Sequence, residues 1–95
     1  MGHYFATASY WRAHFLLGES LAPVDPAGAR AAWARAEQFI EPIVAQKPSP
    51  TTMSLWTRLL VRRKRLPEAA AALASLRNTG YATSELERLC SENGC

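Results

Sequence analysis

Apolar residues recur at every third or fourth position along most of the chain, which is the spacing of one face of an α-helix. Four stretches show this pattern. Their apolar positions are Trp11, Phe15, Leu17, Gly18 and Leu21 in the first; Ala29, Ala32, Trp33, Ala36, Phe39, Ile40 and Ile43 in the second; Leu55, Trp56, Leu59, Leu60 and Val61 in the third; and Ala69, Ala72, Leu73 and Leu76 in the fourth. Arginine and glutamate occupy the opposite faces, so the pattern predicts amphipathic helices that bury one side.

Local start signals set the predicted beginnings of these helices. Asp25-Pro26 and Ser49-Pro50 each place an N-cap residue before a proline. Proline suits the first helical turn because its missing N–H is not needed there. Pro67-Glu68 fits the same position, since an acidic residue stabilises the positive end of a helix.

Two further signals mark the end of the fourth helix and the start of a short fifth one. Gly80 suits a left-handed C-cap, and Ser84 followed by Glu87 is typical of a capping box. We therefore predict five helices, over about Phe5–Leu21, Pro26–Ala45, Pro50–Lys64, Pro67–Asn78 and Glu85–Glu92. The linkers between them are short, which favours antiparallel neighbours.

The composition agrees with an all-α fold. Alanine and leucine occupy 28 of the 95 positions, whereas valine and isoleucine occupy five. Alanine and leucine lose little on entering a helix and β-branched residues lose more, so the composition argues against a sheet protein. The hydrophobic fraction of 48% predicts one small globular domain with a modest core, in which Trp11, Trp33 and Trp56 are buried.

Charge and cysteine content change this picture little. The net charge is +3, and much of it comes from the run Arg62–Arg65, which we expect to stabilise the negative end of the third helix. Cys90 and Cys95 are too few for a disulfide scaffold, so we expect free thiols in a cytoplasmic protein, with a local bridge as the alternative. The longest apolar run near the start, Phe15–Leu17, is too short for a signal peptide, and no stretch is long enough to span a membrane.

The sequence offers no catalytic constellation. It contains no glycine-rich phosphate loop and no nucleophile elbow. Glu37 and Glu41 lie one turn apart on a predicted solvated face, and His14 has no identifiable carboxylate partner, so we expect it half-exposed. We therefore expect a protein that is not an enzyme and that has no metal site and no cofactor.

An internal repeat is visible at an offset of 40 residues. Ala29, Trp33 and Ala36 align with Ala69, Leu73 and Leu76 at the same spacing. In each copy a helix with aromatic residues precedes these positions. Matching small and large positions in two helical hairpins favour a solenoid over an irregular bundle.

These residues resemble the tetratricopeptide (TPR) family, whose unit is two antiparallel helices, A and B. In the first copy Leu17-Gly18 and Leu21 fit helix A, while Ala29, Trp33 and Ala36 fit helix B. In the second copy the matching positions are Met53, Trp56, Thr57 and Leu60 for helix A and Ala69, Leu73 and Leu76 for helix B.

The resemblance implies an all-α architecture of two antiparallel helical hairpins stacked as a TPR-like solenoid fragment, with a short C-terminal capping helix. Repeat one would cover about residues 5–46, repeat two about 50–80 and the capping helix about 84–92, in a single domain over residues 1–95. The sequence departs from the family in its period of 40 instead of 34 residues. The second copy also lacks the helix A glycine and has Tyr81 in place of the closing proline, and Pro42 falls one place late.

The resemblance also implies a concave groove lined by helix A side chains. The matching positions are Arg12, Phe15 and Glu19 in the first copy and Thr51, Ser54, Arg58 and Arg62 in the second. Arg58 and Arg62 are one helical turn apart, and two guanidinium groups at that spacing suit a carboxylate. We therefore expect a protein–protein interaction module whose partner-binding residues are Arg12, Phe15, Arg58 and Arg62 and whose partner is an acidic peptide.

Two alternatives remain open at this level. One is a structural module that forms a homodimer through the open end of the repeat array. The other, weaker, is a nucleic-acid-binding regulator. The fourth helix is alanine-rich with only Arg77 near its end, which argues against reading of base edges.

Overall fold

A computed structural model describes residues 2–46 and 48–95, with side chains from residue 11 onward. The described residues form five α-helices and no β-strand, which confirms the all-α prediction. The helices are α1 (Gly2–Leu21), α2 (Pro26–Val44), α3 (Pro50–Arg62), α4 (Leu66–Thr79) and α5 (Ser84–Asn93). The chain divides into two compact units, residues 1–46 and residues 47–95. None of the helices in the described part is long and apolar enough to cross a membrane.

Side-chain caps begin α2 and α3 where the sequence places them. The Asp25 carboxylate accepts a hydrogen bond from the backbone N–H of Gly28 at 3.1 Å, and the Ser49 hydroxyl accepts one from Thr52 at 3.2 Å. Each bond satisfies a backbone donor that the first helical turn would otherwise leave without a partner. Pro42, which the repeat alignment treats as a closing proline, instead lies inside α2, which continues to Val44.

The cap of α5 differs from the predicted capping box. Thr83, not Ser84, is the N-cap: its backbone is extended (φ −102°, ψ 156°), and its hydroxyl accepts a hydrogen bond from the N–H of Leu86 at 3.2 Å. Ser84 is already the first helical residue. Glu87 is therefore one position too far along the helix to complete a box, and its carboxylate binds Arg77 instead.

Three helices end in the same kind of turn. A residue with positive φ follows each of them: Lys64 (61°) after α3, Gly80 (81°) after α4 and Gly94 (92°) after α5. The next N–H then donates back to a carbonyl five residues earlier, from Arg65 to Leu60 (2.9 Å), from Tyr81 to Leu76 (2.8 Å) and from Cys95 to Cys90 (2.8 Å). This is the Schellman motif, which satisfies carbonyls that the last turn leaves open. The predicted cap at Gly80 is confirmed.

In the first unit, α1 and α2 form an antiparallel hairpin. Gly18 of α1 lies against the indole ring of Trp33, and the His14 ring stacks on Phe39 with 6.0 Å between ring centroids. Moving from Gly18 back to His14 along α1 corresponds to moving from Trp33 forward to Phe39 along α2, so the two helices run in opposite directions. The absence of a side chain at Gly18 lets the large indole fill the space between the two helices.

The inward face of α1 is narrower than the sequence predicts. Trp11 and Phe15 are each 3% exposed and share a helical face with Gly18. Leu17, which was expected within the apolar stripe, is 48% exposed, and its neighbour Leu16 is 56% exposed. Both leucines lie on the opposite side of α1 from that face, so they do not contribute to the hairpin core.

In the second unit, α3, α4 and α5 share one apolar cluster. The cluster, which we call the leucine cluster, consists of Leu73, Leu76, Leu86 and Cys90, and Met53, Ala82 and Cys95 pack against it. The buried Thr57 hydroxyl donates a hydrogen bond to the Met53 carbonyl at 2.8 Å, so this polar group is satisfied within α3. Trp56 is buried here, as Trp11 and Trp33 are in the first unit, which confirms the prediction for all three tryptophans.

Cys90 and Cys95 form a disulfide bond, so the expectation of free thiols is wrong and the local bridge is correct. The left-handed turn at Gly94 brings the Cα atoms of the two cysteines to 4.8 Å from each other, within the range that a disulfide requires. The bond joins the two positions of a Schellman motif that otherwise make an apolar contact. The sequence separation of five residues, with a glycine before the second cysteine, is the pattern that could have indicated it.

We predict that Lys64→Gly stabilises the protein by about 0.5–1 kcal/mol. A lysine with positive φ bears a steric cost that glycine avoids, although glycine loses more backbone entropy on folding. The measurement is the free energy of unfolding in urea. Gly80→Ala is the reverse control, since a Cβ at Gly80 would meet no atom within 4 Å and its expected loss of about 1 kcal/mol is due to backbone conformation alone. A loss of stability in Lys64→Gly would contradict the turn geometry.

We predict that Gly18→Ala destabilises the protein by about 1–3 kcal/mol even though alanine favours a helix more than glycine does. The added methyl group would overlap the Trp33 indole. Urea denaturation measures the effect, with the exposed Ser20→Ala on the same helix as control. The loss should shrink in a Trp33→Leu background, where the methyl group has room. An equal loss in both backgrounds would show that the indole is not the cause.

Candidate binding face on helix α3

The four predicted partner-binding residues are distributed over both units. Arg12 and Phe15 lie on α1, and Arg58 and Arg62 lie on α3. Phe15 was predicted to line a groove, but its ring is 3% exposed in the hairpin core and is not available to a partner. Arg12 is exposed, and its guanidinium lies 5.6 Å from the centre of the Trp11 ring.

Four polar residues form one face of α3, which we call the α3 face: Thr51, Ser54, Arg58 and Arg62. Their spacing of three and four residues places them on the same side of the helix. The buried side chains Trp56 and Leu60 point to the opposite side. Thr51 is exposed and the other three are half-buried, so the face is polar and accessible along its length.

Arg58 binds a carboxylate within the protein. Its Nη2 atom lies 3.1 Å from Oε2 of Glu85, at the start of α5, and the two side chains are 33% and 75% exposed. The bond is therefore in contact with water, and a pair of this kind contributes about 0–1 kcal/mol to stability. Nothing near Arg58 in the sequence indicates this partner, because Glu85 belongs to a different helix.

The basic run Arg62–Arg65 covers the last residue of α3 and the turn to α4. Arg62 lies in the last turn of α3, where a positive charge stabilises the negative helix end, as the sequence predicts. The Arg65 guanidinium lies 5.4 Å from the centre of the Trp56 ring, and its Nε donates to Oε1 of Glu68 at 2.8 Å. This hydrogen bond lowers the pKa of Glu68. Arg65 therefore fixes the turn, whereas Arg58 lies on the α3 face.

A second arginine–glutamate pair joins α4 to α5. The Nε and Nη2 atoms of Arg77 donate to the two carboxylate oxygens of Glu87 at 2.6 and 3.0 Å. These bonds raise the pKa of Arg77 above its ordinary value. The parallel two-bond geometry fixes orientation as well as distance. Together with the leucine cluster it holds the beginning of α5, and hence Glu85, in place.

His14, Glu37 and Glu41 lie on the two helices of the first unit. His14 is half-buried, as predicted, with its ring stacked on Phe39. Glu41 is exposed and Glu37 half-buried on α2. Within residues 2–46 and 48–95, no group of three His, Cys, Asp or Glu side chains is placed to hold a metal ion.

The charge of the chain is concentrated in the second unit. Residues 47–95 contain eight lysines and arginines and four glutamates, a net charge of +4. Residues 1–46 contain three arginines and four acidic residues, a net charge of −1. The α3 face therefore lies in the basic part of the protein. Such a surface attracts acidic partners and raises their rate of encounter.

Comparison of the chain with family models, curated proteins and solved structures finds no match. The fold and the side-chain geometry define a class only: an all-α protein with one unit of two helices and one of three, and with a basic polar face on α3.

Proposed function

We propose that this protein is a non-enzymatic protein–protein interaction module whose α3 face binds an acidic segment of a partner. The observation that carries the proposal is the ion pair between Arg58 and Glu85. A guanidinium that already binds an exposed carboxylate within the chain is placed to bind a carboxylate from a partner. Arg62, one turn along the same face, supplies the second positive charge.

The proposal includes the TPR-like architecture that the sequence resembles. Its support is the burial of matching positions: Ala29 and Ala36 in the first unit are both 0% exposed, and Ala69 and Leu76 in the second are 0% and 3% exposed. The tight contact between Gly18 and Trp33 also fits a hairpin of that type. Phe15 is not part of the proposed face, because it is buried.

The partner segment would compete with Glu85 for Arg58. Glu85 is 75% exposed and can rotate into water at little cost, so α5 regulates the face without closing it. An acidic peptide with two adjacent carboxylates would bind Arg58 and Arg62 together. Such a peptide would bind more tightly than a single carboxylate, because the loss of translational freedom on binding is incurred once for two contacts.

We predict that Arg58→Glu combined with Arg62→Glu weakens the binding of a fluorescein-labelled hexaglutamate peptide by about ten-fold or more, since two charge-assisted contacts are lost and repulsion replaces them. Fluorescence anisotropy at low salt gives the dissociation constant. Arg30→Glu combined with Arg35→Glu is the matched control, because both side chains are exposed on α2 and the change in net charge is equal. Equal weakening in the two double variants would show that binding depends on net charge alone and would contradict the assignment of the binding site to the α3 face.

We predict that Glu85→Gln strengthens the binding of the same peptide by about two- to five-fold, because the internal competitor for Arg58 loses its charge. The control is Glu92→Gln, which makes the same charge change at an exposed position on α5. The ratio of the two dissociation constants isolates the competition from the net charge. A ratio of one would show that Glu85 does not occupy the binding position.

A second candidate function, homodimer formation, is favoured by the exposed apolar residues of the first unit. Leu16 and Leu17 are 56% and 48% exposed, and Val24 is 79% exposed. Both leucines lie on the side of α1 that faces away from α2, and the exposed small residues Ala13 and Ser20 lie between them around the helix. Contiguous exposed apolar residues are typical of a contact surface.

We predict that Leu16→Lys combined with Leu17→Lys dissociates such a dimer, because four like charges would meet at its centre. Sedimentation velocity at micromolar concentration measures the association state of the variant and of the parent protein. The control is Ala27→Lys combined with Ala31→Lys at exposed positions of α2. A parent protein that is monomeric throughout the concentration range would remove this candidate.

A further inference from the structure

The disulfide at the end of α5 connects two cysteines with different surroundings. Cys90 is 2% exposed and belongs to the leucine cluster, whereas Cys95 is half-buried and packs against the cluster from its edge. A reagent in solution therefore has better access to the residue Cys95 than to the residue Cys90. Access is one of the factors that decide which sulfur of a disulfide is attacked.

The bond does not join one helix to another. It closes a loop with a sequence separation of five residues, entirely within the last turn of α5 and its cap. Disulfide stabilisation increases with the length of the enclosed loop, so a bridge this local adds little to the association of α3, α4 and α5. Its direct effect is to hold Cys95 against the leucine cluster and the backbone of Gly94 in its left-handed turn.

The end of α5 depends on that restraint more than its beginning does. The beginning of α5 has the Thr83 cap and the ion pairs of Glu85 and Glu87. The end has the Schellman hydrogen bond from Cys95 to Cys90 and the disulfide itself. A helix of ten residues is marginal without tertiary contacts. Opening the bond should therefore loosen the final turn while the rest of the unit stays folded.

We propose that Cys90–Cys95 is a thiol–disulfide exchange site whose substrate is a dithiol reductant and whose opening releases the C-terminal turn of α5 from the leucine cluster. A thiolate of the reductant attacks Sγ of Cys95, a mixed disulfide forms, and Cys90 leaves as a thiolate that takes a proton from water. The second thiol of the reductant then attacks its own sulfur in the mixed disulfide and releases Cys95. The reductant ends as a disulfide, and its two electrons reside on the two cysteines.

The first experiment tests which sulfur reacts. The oxidised protein is exposed briefly to glutathione, the reaction is quenched with acid, and the cysteine that carries the glutathione adduct is identified by mass spectrometry of peptide fragments, under native conditions and again in urea. We expect the adduct on Cys95 to exceed the adduct on Cys90 by about ten-fold in the native protein, with the difference removed in urea. Equal amounts of adduct on the two cysteines in the native protein would overturn the proposal.

The second experiment tests what the bond controls. Amide hydrogen exchange is measured by mass spectrometry on the oxidised protein and after dithiothreitol treatment without denaturant. We expect residues 88–95 to exchange about ten-fold faster after reduction, and α3 and α4 to be unchanged. The variant Cys95→Ser is the control, because dithiothreitol should not alter its exchange.

Two results of the second experiment would contradict the proposal. A disulfide that resists dithiothreitol until denaturant is added would show that neither sulfur is accessible in the folded protein. Faster exchange throughout residues 48–95 would show that the bond stabilises the whole unit and is not a local exchange site.

Discussion

The leucine cluster is the interaction on which the second unit depends. Leu73, Leu76, Leu86 and Cys90 come from α4 and α5, and Met53 of α3 packs against them, so the burial of one small apolar surface holds three short helices together. None of these helices is long enough to be stable alone in water. Each fully buried leucine contributes about 1.5–3 kcal/mol on transfer from water, far more than the exposed ion pairs around it. The ion pairs orient α5, and the cluster keeps it there.

The α3 face follows from this packing. Burial of Leu86 fixes the rotation of α5, and this rotation points Glu85 toward Arg58 and Glu87 toward Arg77. Polar residues on α3 are then left on the side of that helix away from its buried tryptophan. The position of the α3 face relative to the start of α5 is in this way a by-product of an apolar contact.

Local features of this fold could be predicted from the sequence, and non-local features could not. The caps at Asp25 and Ser49 and the turn at Gly80 involve neighbours a few residues apart, and their chemistry is confined to those residues. The Thr83 cap was missed because Thr83 and Ser84 are both good N-cap residues, and only the backbone conformation distinguishes them.

In the candidate site, too, the sequence predicts the local features and not the non-local ones. The spacing of Arg58 and Arg62 placed them correctly on one face of a helix. Glu85 could not be assigned to Arg58, because the pairing depends on how α5 packs on α3. Phe15 was assigned to a groove from the family resemblance, whereas its spacing from Trp11 and Gly18 already placed it on the buried side. The periodicity of apolar residues in this chain predicts the position of Phe15 better than the family resemblance does.

The distribution of the three tryptophans has a spectroscopic consequence. Trp11 and Trp33 belong to residues 1–46, and Trp56 is the single indole of residues 47–95, with the Arg65 guanidinium over its ring. All three are buried, so their emission changes when they meet water. Selective replacement by phenylalanine therefore yields separate fluorescent reporters for the two units. The fluorescence of these tryptophans then reports whether the hairpin of α1 and α2 and the three-helix unit fold in one step or in two, with no label attached.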